Sequence, residues 1–199
     1  MKILVTAFEP FGGQKINPTM EVLKLLKNSI GENQIIKQEL PTVFNESIKV
    51  VWKAMEKYKP DVVLSLGQAG GRSCISIERI AININDTKSA DNQGQTPEDQ
   101  TIFEDGQPAY FSTLPIKKIL HSIREIKIPA EISNSAGTFV CNHVMYGVLY
   151  KIQKEGLDMK AGFIHVPFIP EQVIDYPGKP SMSLNDIVKA VEVACKVPV

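Results

Sequence analysis

No sign of charge prevails in this chain, because 22 Lys and Arg stand against 22 Asp and Glu over 199 residues. A balanced chain without a basic stripe interleaved with aromatics carries no electrostatic footprint for nucleic acid, so none is expected as a partner. Long apolar runs are missing too. No stretch reaches the length of a membrane-spanning helix, and no membrane partner is expected. The opening MKILVTAFEP, cut off by Glu9 and Pro10, reads as a buried first strand rather than a signal peptide. Cysteine is scarce and odd in number: Cys74, Cys141 and Cys195 show no CxxC spacing. The expectation is a reducing, cytoplasmic setting without structural disulfides. HExxH, CxxC and clustered carboxylates are absent, so neither a metal nor another cofactor is expected. The glycine-rich GQAGGR at 67–72 lacks GxGxxG spacing and no Lys-Ser/Thr pair follows it. A tight turn bringing backbone amides near a neutral ligand is the better reading than a phosphate cradle.

What is present is an ordinary globular composition, 43% hydrophobic and 22% charged, at a length suited to one domain over 1–199. Apolar runs at 2–8, 35–40, 62–66, 75–84, 132–135 and 161–166 are short, mostly rich in Ile and Val, and bounded by Gly, Pro or Asn, as strands are. Helical spacing of apolar residues covers 19–30, 45–58 and about 183–196, and Val140, Val144, Val148 and Ile152 mark a further helix. Strands that are apolar on both faces and alternate with helices predict a three-layer α/β/α domain around a twisted, mostly parallel open sheet. Ligands of such sheets gather beyond the carboxyl ends of the strands. Two segments break the alternation. Residues 85–112 are polar, with IFEDGQPAYF reading as a hairpin around Asp105 and Gly106; residues 167–182 hold four prolines. Both fit either lids, binding loops and oligomer contacts or plain surface loops.

Cys141 opens the helix that follows SNSAGTF, with Thr138 as the expected N-cap. In a first turn, free N–H groups and the helix dipole favour a thiolate and can stabilise an oxyanion. Free cysteine is more often apolar filler, which is how Cys74 and Cys195 read. Location at a strand-to-helix elbow turns the reading of Cys141 toward a nucleophile. His143 lies two positions away on the same helix and points to another face; His121 reads as a solvated surface histidine. His165, ending a buried strand, is the candidate base, with a satisfied core histidine as its alternative. In ISIERIAININD the two-residue alternation slips at Glu78-Arg79, a bulge signature that re-aims side chains. A carboxylate there can orient an imidazole through its second nitrogen. A Glu78–Arg79 surface pair is the rival reading, and alternation alone favours it. Phe8 and Phe11, in the loop after the first strand, either plug the core or wall an apolar pocket. A metabolite-binding module built on the glycine turn is the rival of a thiol hydrolase or amidase acting on an amide bond.

Together TAFEPFGG (6–13), LPTVF (40–44), GQAGGRSCISIERIAIN (67–83), SNSAGTFVCN (133–142) and GFIHVPFIPEQ (162–172) resemble the pyroglutamyl peptidase I family of cysteine peptidases over nearly the whole chain. The resemblance implies removal of N-terminal pyroglutamate from peptides through a thioester, with no metal and with assembly as a homo-oligomer, commonly a tetramer. It implies Cys141 as nucleophile, His165 as base and Glu78 as the residue orienting it. It also implies a pyroglutamyl pocket on Phe8, Phe11, Thr42, Phe139 and Val140, with Asn17 and Gln68 near the lactam. Where similar proteins often place Arg near the active site, this chain has Lys88.

Overall fold

The computed structural model describes residues 1–197. Seven strands make the main sheet: β1 (Lys2–Phe8), β2 (Ser29–Ile30), β3 (Asn33–Leu40), β4 (Val62–Gln68), β5 (Ile75–Glu78), β8 (Ala130–Ser133) and β9 (Lys160–Val166). Their order is β2-β3-β1-β4-β9-β5-β8. The central strands β1, β4 and β9 are buried on both faces, as a parallel sheet covered on two sides requires. Alternation sorts their side chains between two cores. Ile3, Val5, Leu64, Leu66, Ile164 and Val166 face α1 (Pro18–Leu25), α3 (Ile116–Glu125) and α5 (Leu184–Ala194). Leu4, Phe8, Val63 and Phe163 face α2 (Glu46–Tyr58) and α4 (Val140–Glu155). The expected α/β/α layering is therefore present.

Several local expectations are corrected. The first helix ends at Leu25, and Ile30 belongs to β2, which turns back antiparallel on β3. The slip at Glu78-Arg79 is not a bulge in one strand but the point where the chain leaves the main sheet. Past it, β6 (Ile80–Ile82) pairs antiparallel with β7 (Ala109–Phe111) in a separate ribbon. That pairing also replaces the hairpin expected around Asp105 and Gly106, which form a turn only. Residues 167–182 contain a 3₁₀ turn, Pro170–Gln172, and a bridge between Phe168 and Ser181.

Apart from the short edge strand β2, the sheet is parallel with one reversal, at β5. β5 runs antiparallel to β9 and parallel to β8. Hence β8, the strand before the cysteine, runs against β9, and residues 134–139 must carry the chain back to where α4 starts.

Candidate active site

Pleat geometry brings the three predicted residues to one face. On β9, His165 points to the same side as Phe163, toward α4, since residues two apart share a face. On β4, Gly67 is the parallel register partner of His165, and a Cβ there would lie 2.8 Å from Cys141 Sγ and 2.7 Å from the Phe163 ring. The sulfur therefore occupies the space vacated by a missing side chain, one strand spacing from His165. On β5, Ile75 and Ile77 face the other core, leaving Ser76 and Glu78 on the α4 side. Ser76 is directly opposite His165, and Glu78 is its diagonal neighbour. Glu78 Oε1 lies 2.7 Å from His165 Nδ1.

Glu78 is fully buried, and Arg72 Nη1 donates to the same Oε1 at 2.8 Å. Burial acts to raise its pKa, but the hydrogen bond and charge of His165, with help from Arg72, hold the carboxyl below its usual value. A carboxylate only accepts, so His165 Nδ1 carries the proton and Nε2 is left for chemistry. In the sequence Arg72 shows only as the end of a glycine turn. A buried carboxylate among apolar residues requires a cation, and Arg72, six positions back, is the signal that could have named it.

Cys141 sits in the first turn of α4, but the N-cap is Phe139, not Thr138, and no side chain caps the helix. Thr138 instead donates its hydroxyl to Asp86 O, tying down the polar segment. The expected thiolate is also corrected. Burial and the negative charge of Glu78 push the thiol up to about 12, outweighing Arg72 and the backbone hydrogen bond that act to lower it. Cys141 at rest is therefore a protonated thiol.

Cys141 and His165 line a cavity of about 310 Å³ together with Phe8, Phe11, Asn17, Thr42, Gln68, Phe139 and Val140, while Glu78 stands behind His165. Phe11 and Phe139 lie with ring centroids 5.8 Å apart, and Phe44, from LPTVF, meets Phe139 edge-on at 5.5 Å. Two of the polar lining residues are already engaged. Asn17 caps α1, its Oδ1 accepting from Thr19 N and Oγ1 while Nδ2 donates to Glu9 O. Thr42 donates its hydroxyl to Glu9 O and its N–H to Glu9 Oε1. His143 is turned from the cysteine: Nε2 accepts from Asn45 N, Nδ1 meets Asn85 Oδ1, and burial lowers its pKa to about 4. His121 is exposed on α3. Lys88 is exposed between Thr87 and Ser89, both of which line the cavity. Sequence reasoning missed the brace at Asp91 and Asn92. Asp91 accepts from Phe44 N, and Asn92 donates to Glu9 Oε1 and Pro10 O. Among the described residues no group of three or more His, Cys, Asp or Glu side chains is placed to hold a metal, and no helix is long and apolar enough to cross a membrane.

A thiol beside an imidazole that is oriented by a buried carboxylate, at the mouth of an apolar cavity on an α/β/α frame, defines a cysteine hydrolase. The comparisons narrow this class. The profile of the pyroglutamyl peptidase family matches residues 1–199, and the chain belongs to that family. The chain is 58% identical over 197 residues to a pyrrolidone-carboxylate peptidase of Thermoanaerobacter pseudethanolicus, covering 99% of this chain and 97% of that one. It is 57% identical over 196 residues to that of Thermosipho africanus, covering 98% and 96%. Among solved structures, pyroglutamyl peptidase I of Bacillus amyloliquefaciens superposes with a TM-score of 0.94 at 44% identity, covering 98% of this chain and 94% of that one. A mutant pyrrolidone carboxyl peptidase of Pyrococcus furiosus gives 0.96 at 50%, covering 99% and 97%.

Proposed function

We propose that the whole chain serves as one catalytic domain that removes N-terminal pyroglutamate from peptides, with Cys141 as nucleophile, His165 as base and Glu78 orienting the base. As Sγ attacks the carbonyl carbon joining pyroglutamate to the next residue, its proton passes to His165 Nε2. The tetrahedral oxyanion is met by the free N–H groups at the start of α4. Collapse breaks the C–N bond; the departing amine takes the proton from His165, and a thioester remains. Water, deprotonated by the same imidazole, then releases pyroglutamate and returns the thiol. The observation that carries this reading is the sulfur held over Gly67 beside a His165 already bonded to buried Glu78.

The cavity suits the substrate. Pyroglutamate is a compact neutral lactam, so Phe8, Phe11, Phe139 and Val140 desolvate its ring, while Asn17, Thr42 and Gln68 supply the polar contacts. An ordinary charged amino terminus would be buried without a counter-charge at a cost of several kcal/mol, which excludes it. We place the enzyme in the cytoplasm and, as a separate point, read it as a homo-oligomer, a tetramer or dimer, the assembly supported by the exposure of Phe111 and Ile174, 65% and 75%. Light scattering on the purified chain tests that state; a monomer at micromolar concentration refutes it. The activity is tested by turnover of pyroglutamyl, prolyl and glutaminyl anilides. Selective cleavage of the first is expected, lost in Cys141→Ser and kept in Cys74→Ser. Preference for another anilide, or near-normal rates without the Cys141 sulfur, ends the proposal.

A further inference from the structure

Gln68, at the carboxyl end of β4, lines the cavity, and its carboxamide has two unlike ends. Which end faces the ligand decides whether the cavity offers a donor or an acceptor at that point. The answer is dictated from outside the cavity by Gln172, the last residue of the Pro170–Gln172 turn, which is itself buried.

The hydrogen bonds of Gln172 are not interchangeable. Ile169 N, which can only donate, lies 3.1 Å from Gln172 Oε1. The opposite end must then be Nε2, and it lies 3.4 Å from Ile16 O, which can only accept, and 2.8 Å from Gln68 Oε1. Two backbone groups therefore allow the Gln172 amide one orientation. Since Gln172 offers a donor to Gln68, the atom of Gln68 that meets it must be the oxygen. Gln68 Nε2 is turned away, and it has no hydrogen-bond partner among the described residues. Without this constraint the terminal amide of a glutamine is close to two-fold in its torsion and could present either end.

We propose that Gln172 is a positioning residue that sets the polarity of Gln68, so that an N–H donor faces the carbonyl oxygen of the lactam. The inference rests on the pyroglutamyl reading above and extends it to selectivity. A prolyl ring has CH₂ where pyroglutamate has C=O, and it leaves the fixed donor unpaired in a desolvated cavity. Missing polar partners of this kind discriminate strongly.

The test is Gln172→Glu against Gln172→Met, with pyroglutamyl and prolyl anilides at pH 8. A carboxylate at 172 still accepts from Ile169 N but offers Gln68 only acceptors, so Gln68 inverts and presents its oxygen to the lactam oxygen. We expect KM for the pyroglutamyl anilide to rise about 10- to 100-fold in Gln172→Glu, with a smaller rise in Gln172→Met, and kcat to change far less than KM. Alkylation of Cys141 by iodoacetamide should match wild type in both. In a Gln68→Met background the two substitutions should become equivalent, which loss of packing alone would not produce. The proposal is overturned if Gln172→Glu is no worse than Gln172→Met, or if the difference persists without Gln68. Should Gln172→Glu fail to fold, the pyroglutamyl-to-prolyl selectivity of Gln172→Met decides: it must fall, and an unchanged ratio overturns the proposal. A wild-type protein inert toward the pyroglutamyl anilide refutes the underlying reading; an active wild type with indifferent Gln172 variants refutes only this inference.

Discussion

Cys141 experiences opposing influences, and their balance sets how it reacts. Its place in the first turn of α4 favours a thiolate, yet burial and the Glu78 charge push its pKa up to about 12. Iodoacetamide should therefore alkylate the resting protein at a rate that climbs steadily from pH 6 to 10. A plateau near neutrality would show a preformed thiolate and contradict this balance. Glu78 shifts in the other sense. Its folded pKa lies below the ordinary 4.5, so the stability it contributes is complete above that pH and drains away as pH falls through the lower folded value. Glu78→Gln should flatten the acid arm of a plot of Tm against pH and lower kcat by roughly 10²- to 10⁴-fold, because His165 loses the partner that fixes its tautomer. An acid arm as steep as in wild type would place the lost protons elsewhere. These proposed roles were unequally legible. Cys141 stood out by position at a helix start and His165 by position at a strand end. Glu78 did not, because a slipped alternation is compatible with either a buried acid or a surface pair; only the pairing of β5 with β9 decides. That the dipole would lose to burial was not legible either, since burial is a property of the assembled molecule.

Two glycines, one at the site and one outside it, hold close contacts between elements with opposite consequences. A Cβ at Gly67 would fall 2.7 Å from the Phe163 ring and 2.8 Å from Cys141 Sγ. Gly67→Ala should displace the sulfur, cut turnover severely and destabilise by about 1–3 kcal/mol through overpacking. A Cβ at Gly147, in the middle of α4, would fall 2.3 Å from Ile48 Cδ1 on α2, far from the cavity. Gly147→Ala should lower Tm, partly offset by about 1 kcal/mol of helix propensity, with kcat unchanged. Assays that showed both variants equally active, or both equally inactive, would contradict this division between a catalytic contact and a packing contact. The helices and buried strands that frame these glycines were readable from periodicity in residues such as Val22, Ile48 and Val51. Boundaries were less so. The spacing that suggested a helix to Ile30 includes residues that β2 takes by pairing with β3; of the two flanks of Asp105, Ala109–Phe111 pairs with β6, while Ile102 and Phe103 form no strand and give their N–H groups to Asn83 Oδ1. In the first case a tight antiparallel turn overrode the helical spacing, and in the second a long-range ladder to β6 overrode the local hairpin signal.

Across the whole molecule, the order of the sheet and the reversal of β5 against β9 were invisible in the sequence, because Glu78 and His165 lie 87 positions apart and no local signal encodes which strands become neighbours. The same long-range assembly creates a stability dependence with a definite sign. Cys195 is buried in the core formed with α1, α3 and α5, whereas Cys141 packs against the core formed with α2 and α4. Burial raises both thiols to about 12 from an ordinary 9.0. A raised folded pKa means the folded state holds its proton more tightly, so this contribution is complete below pH 9 and is lost as pH rises toward 12. Tm should therefore fall between pH 9 and 10, before Tyr146, whose raised phenol departs from an ordinary 10.0, adds to the loss. Because the two thiols sit on opposite faces of the sheet without shared partners, their effects should add. Cys141→Ala and Cys195→Ala should each reduce the slope of Tm against pH in that window, whatever each does to Tm itself, and the double variant should reduce it by the sum. A slope unchanged in the double variant would mean that the alkaline loss comes from neither core. A slope abolished by one variant alone would mean that the two faces of the sheet do not unfold as independent reporters.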